Sequence, residues 1–328
     1  MFELWDYAFM QRAMVAALLI GLAAPSVGIY LVQRRLSLIG DGLGHVALTG
    51  VAIGLVTSTT PVLTALGAAV VGGVVVELIR SRGRTSGDLA LAIIFYGGIA
   101  GGVVIVSQAP PGTSVNLDSY LFGAITTTST GDVTTFALLT AGVLLAVHGF
   151  GRHLFVVGGD EEYARASGLP VLRLNLLLSV VTSVTVVVSM RVVGLLLISA
   201  LMVIPVATAQ QLFVGFKAAF YGAMGLGVLS ALVGTGGALY LESALGATIV
   251  VSSIILLGLA ALIGGPLRRS RRFIPYIEDH GQHPHEVAEP HDERHVPDSL
   301  LVIQHGDHID YVHDGHRHYR HEDHYDEH

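Results

Sequence analysis

Apolar residues in this chain run in long, unbroken stretches. Nine stretches stand out, at roughly 9–32, 36–57, 61–80, 88–108, 132–151, 171–190, 192–212, 215–238 and 246–265. About 20 consecutive apolar residues cross a bilayer as α-helix. The runs are continuous and do not alternate, which favours helices over a barrel. The pattern predicts an all-α polytopic membrane helix bundle of eight or nine spans. The sixth and seventh runs nearly abut, so ten is also compatible. After Arg272 the pattern ends, dividing the chain into a membrane domain, 1–272, and a polar tail, 273–328. "YGGIAGG" (Tyr96 to Gly102) holds two i,i+4 glycine pairs, Gly97 with Gly101 and Gly98 with Gly102, where helices can approach closely. Pro25 and Pro205 fall inside runs and are expected to kink them.

Polar residues inside these runs carry the candidate chemistry. "RRLSLIGDGLGHVALTGVAIGL" (Arg34 to Leu55) places Asp41 and His45 four residues apart, on one helix face. A carboxylate and a neutral imidazole suit a divalent transition metal. Ionisable groups inside a span usually mark an ion or substrate path. The alternative is structural: Asp41 as the N-cap of a broken helix, with His45 bonded to it. Glu242 precedes the last run and is either an interfacial carboxylate or a third oxygen ligand or gate. Glu77 is expected to pair with a nearby Arg. Arg191 is expected to snorkel at the outer surface.

Composition agrees with a membrane protein: 52% hydrophobic and 13% charged, against about a quarter charged in soluble domains. With no cysteine, disulfides and thiolate metal sites are excluded. "MFELWDYAFM" has no basic n-region, so the first run is expected to stay as an anchor. Thirteen Arg and Lys fall at the ends that follow odd-numbered runs, while only Arg12 and Arg191 fall at the other ends. Basic residues gather on the cytoplasmic side. The N-terminus is therefore expected outside, with loops 81–87 and 152–170 and the tail inside. Loop 109–131 is expected outside.

The inner segment "GGDEEYARASGLP" (Gly158 to Pro170) begins with Asp160, Glu161 and Glu162, acids that favour a helix N-terminus. Ala164, Ala166 and Gly168 follow and offer a small-residue face. The segment reads as a short helix on which a partner docks, or as a plain solvated connector. A phosphate-binding loop needs Gly-Lys-Ser/Thr. The single lysine, Lys217, follows Phe216. The chain is therefore expected to be no enzyme and to need no catalytic cofactor. Any ATPase is a separate polypeptide.

Several segments taken in order resemble the permease subunit of zinc/manganese ABC importers, the ZnuB-like family. They are "FMQRAMVAALLIGLAAPSVGIYLVQRRLSLIGDGLGHVALTGVA", "NLDSYLFGAI", "EEYARASGLP", "RVVGLLLISALMVIPVATA" and "ESALGATIV". The resemblance implies a homodimer of permeases, two cytoplasmic ATPase subunits and an extracytoplasmic metal-binding lipoprotein. It implies a bacterial cell membrane location, with no nucleic-acid partner. It assigns Asp41 and His45 to the translocation path and "EEYARASGLP" to ATPase coupling. Two departures are Gly44 where the family usually has Ser, and Glu242 where it commonly has Asp.

The tail carries 13 of the chain's 16 histidines and a net charge of −11, from 3 Arg and 14 acids. Histidine-dense tracts bind metal and often lack one fold. "LLVIQHGDHIDYVHDGHRHY" has β-prone runs broken by Gly-Asp and Asp-Gly, which predicts a small hairpin near 300–319. "HGDHID" resembles the histidine-triad zinc motif of streptococcal surface proteins, with Asp310 in place of the third His. His305, His308 and Asp310, then His316, His318 and His321, are the candidate ligands. Imidazole favours zinc over manganese, so zinc is expected both as substrate and as tail ligand. Manganese or ferrous iron is the alternative cargo. A secondary metal/proton transporter with a cytoplasmic sensing tail is the alternative class.

Overall fold

The computed structural model describes residues 8–82, 87–108, 118–121, 123, 129–190, 194–241 and 243–271, with tail strands at 286–287, 301–305, 308–313, 316–321 and 324–327. Contacts divide the chain into two units, Met1–Gly264 and Gly265–His328. Glu242 and Arg191 lie outside the described residues.

Among its described residues the first unit is helical, and its last helix continues past Gly264. Its elements are α1 Ala8–Gln33, α2 Ile39–Val56, α3 Pro61–Ser81, α4 Gly87–Ser107, α5 Asp118–Leu121, α6 Thr130–Gly159, α7 Glu161–Ala166, α8 Val171–Met190, α9 Leu195–Leu212, α10 Phe216–Tyr240 and α11 Leu245–Arg271. Among the described residues eight helices are long and apolar enough to cross a membrane, and Ile198–Leu212 of α9 is a shorter apolar helix. The expected helix bundle is thus the observed fold.

Two groups of helices make the unit. In one, α1 packs on α6, α9 and α10; in the other, α2 packs on α3 and α4. Helix α8 touches α1, α2, α3, α6 and α9 and joins the two groups. Its side chains are mostly buried even where they are polar, as at Asn175, Ser179, Thr182 and Ser183. Small residues set the crossings, because lipid supplies little drive for helix association and close packing must do so. A Cβ on Gly227 of α10 would lie 2.4 Å from the Gly21 carbonyl oxygen and 2.5 Å from Pro25 Cγ on α1. Leu63, Val71, Leu138, Leu145 and Leu262 face outward, as lipid-facing residues do.

Three local expectations change. Helix α6 continues to Gly159, well beyond the expected end near 151. Arg152 and His153 are compatible with helix once outside lipid, so the hydropathy edge is not the helix edge. Its start is set by a capping box between Ser129 and Asp132. Helix α2 is not broken at Gly40. It starts at Ile39, with Leu38 as an N-cap that makes no side-chain bond and Asp41 in the first turn. Of the glycines in "YGGIAGG", Gly98 meets α2 closely, whereas Gly97 faces open space.

The second unit holds β1 Glu286–Val287, β2 Leu301–His305, β3 His308–His313, β4 His316–His321 and β5 His324–Glu327. They form one antiparallel sheet in the order β1-β5-β4-β3-β2.

Candidate metal centre and coupling helix

Glycines at 40, 42 and 44 let three neighbours close on the start of α2. A Cβ at Gly40 would lie 2.7 Å from Ser199 Oγ on α9, and one at Gly44 would lie 2.2 Å from Leu195 Cδ1. A Cβ at Gly42 would lie 2.5 Å from Leu91 Cδ1 on α4. Successive residues turn by about 100° around a helix. Positions 41 and 45 therefore fall between the side covered by α9 and the side covered by α4. Asp41 and His45 are both half-buried there.

His45 is held firmly. Its ring stands edge-on to Phe95, with centroids 4.5 Å apart and planes at 76°. A Cβ on Gly98 would lie 2.8 Å from the His45 carbonyl carbon, so α4 rests directly on the α2 backbone. The Thr49 hydroxyl donates to the Gly98 carbonyl and ties the two helices one turn further on. The Nδ1 atom of His45 is buried and has no hydrogen-bond partner among the described residues; the same is true of Ser199 Oγ. A buried polar atom without a partner is costly and calls for an explanation. Here it leaves an imidazole nitrogen one helical turn from a carboxylate, two donors of the kind divalent transition metals take. Among the described residues of the first unit no group of three or more Asp, Glu or His is placed to hold a metal ion. Phe95, Gly98 and Ser199 give no sequence signal as site residues; only packing reveals them.

The second constellation lies at the far ends of α1 and α3. Glu77 is 3% exposed and takes two hydrogen bonds from Arg80, at 2.9 and 3.0 Å. Arg80 also reaches Glu161 of α7 at 3.4 Å. Arg34 approaches the same carboxylate at 3.8 Å, and Arg165 at 3.3 Å. Burial lowers the Arg34 pKa from its ordinary value and the Arg80 charge adds to this, while Glu77 and Glu161 oppose it. Glu77 thus pairs with an Arg as the sequence suggested, within a larger network.

Helix α7 is a distinct turn. The Asp160 carboxylate accepts from the Tyr163 amide and caps it. Gly168, at φ +79, closes it in a conformation that favours glycine. Ala164 is fully buried, so its small size serves packing within the chain. Glu162, Tyr163 and Ala166 are exposed. Tyr163, at 64% exposure, is a large side chain that α7 leaves uncovered, and it was absent from the sequence-derived candidates.

In the tail, backbone register places His305 opposite His308, Ile303 opposite Asp310 and Tyr311 opposite His318. Opposed and alternate residues share a face of a sheet. His305, His308, Asp310 and His321 therefore fall on one face, and His316 and His318 on the other.

The profile of the ABC 3 transport family matches residues 6–264. The chain is 35% identical over 258 residues to a protein of Treponema pallidum named "Probable metal transport system membrane protein", covering 78% of this chain and 96% of that one. It is 30% identical over 258 residues to "Manganese transport system membrane protein MntC" of Halalkalibacterium halodurans, covering 79% and 88%. The solved structure "PsaBC from Streptococcus pneumoniae in complex with Fab" superposes with a TM-score of 0.73 at 26% identity, covering 82% of this chain and 96% of that one.

Proposed function

The chain belongs to the ABC 3 transport family, and from that premise we propose that it is the membrane permease of an ATP-driven importer of divalent first-row metal ions. The carrying observation is the pair Asp41 and His45 on the face of α2 left between α4 and α9, with a buried imidazole nitrogen that has no partner. Two donors are too few for a transition-metal ion, which takes four or more. Two copies of the chain, facing each other across this seam, supply two carboxylates and two imidazoles. The path lies between them, and Glu242 is a further oxygen donor or gate. The ion leaves water for these donors and is passed on when the dimer changes the side to which it opens.

Energy enters through α7. Cytoplasmic ATPase subunits dock on its exposed residues, with Glu162, Tyr163 and Ala166 as the contact surface. Glu161 ties that helix to Arg80 of α3 and Arg34 at the end of α1. Only a short turn separates Arg34 from Ile39, where α2 begins. A displacement of α7 therefore acts close to the helix carrying Asp41 and His45. An extracytoplasmic metal-binding lipoprotein delivers the ion. The chain sits in the bacterial cell membrane, N-terminus outside and tail in the cytoplasm, as the distribution of basic residues supports.

Manganese is the first cargo to test, on the carboxylate-plus-imidazole donors and on the relative named for manganese transport. Zinc is the second reading, favoured by the 13 tail histidines. Proteoliposomes holding this chain with its ATPase decide the matter. ATP-dependent manganese entry that is lost in Asp41→Asn and His45→Ala supports the proposal. Entry independent of ATP and driven by a proton gradient overturns it in favour of a secondary transporter.

A further inference from the structure

The tail repeats His-x-x-His at 305–308, 313–316 and 321–324, each eight residues after the last. The structure gives this repeat a meaning. Strands β3 and β4 are six residues each, and two residues connect each strand to the next. The first and last residues of a six-residue strand lie on opposite faces, because faces alternate. The chain also reverses at each connection. The first and third repeats therefore return to the same end and the same face of the sheet. The second goes to the other end and the other face.

Backbone register completes the picture. His305 is opposite His308, and His321 is opposite His324. The β3–β4 register, with Asp310 opposite Tyr319, continues by two residues to place His308 opposite His321. Four histidines, His305, His308, His321 and His324, thus form one row across β2, β3, β4 and β5. Asp310 and Asp326 fall in the next row of that face, opposite Tyr319.

We propose that this row is a transition-metal site centred on His308 and His321. Strands are about 4.8 Å apart, so the row spans about 14 Å, with positions 308 and 321 on the two central strands and position 310 in the next row of the same face. Neutral imidazoles without thiolate select zinc, nickel or copper(II) over manganese. The site lies beyond residues 6–264, the part that the family profile matches. Its ligand set differs from a local triad around His305: it joins residues 16 positions apart and includes His324. Metal joins the outer hairpins of the meander, which the low hydrophobicity of the tail does little to hold together.

The test measures binding, so it stands apart from the transport reading. The full chain is prepared in lipid nanodiscs on an Asp41→Asn/His45→Ala background, and zinc alone is titrated by equilibrium dialysis. Replacing His308 and His321 by Gln is expected to lower affinity by at least about a hundredfold, because lost ligands cost no less than lost outer partners. Replacing His313 and His316 removes the same number of imidazoles from the other end and is expected to change it by less than about threefold, within ordinary variation for distant sites. Equal losses in the two variants mean a tail that binds metal by histidine count alone, and overturn the proposal. So does unchanged binding in His308→Gln/His321→Gln. If that variant loses its strands, single replacements decide. His305→Gln or His324→Gln weakens the site where His316→Gln does not; no difference among the three overturns it.

Discussion

Arg80 and Glu161 lie 81 positions apart in sequence and 3.4 Å apart in space. Arg80 is at the end of α3 and also satisfies the buried Glu77. Glu161 opens α7, so one guanidinium joins a membrane helix to the proposed ATPase-docking turn. Removing Arg80 leaves Glu77 buried without its partner. Arg80→Met is expected to destabilise the protein by about 3–5 kcal/mol, as when one member of a buried pair is lost. Glu161→Gln keeps shape and leaves the Glu77–Arg80 pair intact. It is expected to lower stability by no more than about 1 kcal/mol while raising the ATP hydrolysed per ion imported. Thermal melts in detergent and paired ATPase and uptake assays separate the two effects. An unchanged ratio of hydrolysis to uptake in Glu161→Gln removes the network from coupling.

His45→Ala and Asp41→Asn are expected to cut metal entry by more than about tenfold, since even outer partners of ligands are worth that much. The dimer and its ATPase should still assemble, because the packing of α2 rests on its glycines and on Thr49. Uptake at limiting manganese and zinc, with size-exclusion chromatography, measures both. Full uptake in His45→Ala would remove the imidazole from the path.

Gly98 and Gly97 make a matched pair of substitutions. A Cβ at 98 would lie 2.8 Å from the α2 backbone at His45, whereas one at 97 meets nothing within 4 Å. Gly98→Ala is expected to destabilise by about 1–3 kcal/mol through overpacking and to impair uptake. Gly97→Ala is expected to be neutral or to stabilise by up to about 1 kcal/mol through helix propensity. Equal melting temperatures for the two variants contradict the packing.

On α7, Ala166→Glu and Tyr163→Asp alter exposed positions and are expected to abolish copurification of the ATPase with little change in melting. Ala164→Glu alters a buried position and is expected to unfold the turn itself. Should Ala166→Glu and Tyr163→Asp both retain the ATPase at wild-type levels, docking lies elsewhere.

The tail's side of the membrane can be read with one thiol, since the chain has no cysteine. Ser299→Cys is expected to resist an impermeant thiol reagent in intact cells and to react once the membrane is opened. Labelling in intact cells places the tail outside. Zinc held by the tail should be released as pH falls through about 6.5, where imidazole ordinarily protonates.

Membrane helices, their order and the polar tail were legible from the chain alone. Hydrocarbon imposes a length and a polarity on each span, and those constraints act locally. Asp41 and His45 were legible for the same reason: a charge inside an apolar run stands out wherever it lies. The eight-residue histidine repeat was equally present, but its consequence needed the strand length and register. What only the tertiary structure decided was which groups meet. Nothing local distinguishes Gly98 from Gly97, or Ala164 from Ala166; the first of each pair is buried by packing and the second is not. Phe95 looks like any apolar residue until α4 lies on α2. Glu161 and Arg80 look like ordinary loop charges until α7 folds back against α3. Periodicity and hydropathy are properties of neighbours along the chain, whereas a site is made by residues that approach through space, and that approach is set by the packing of the whole bundle.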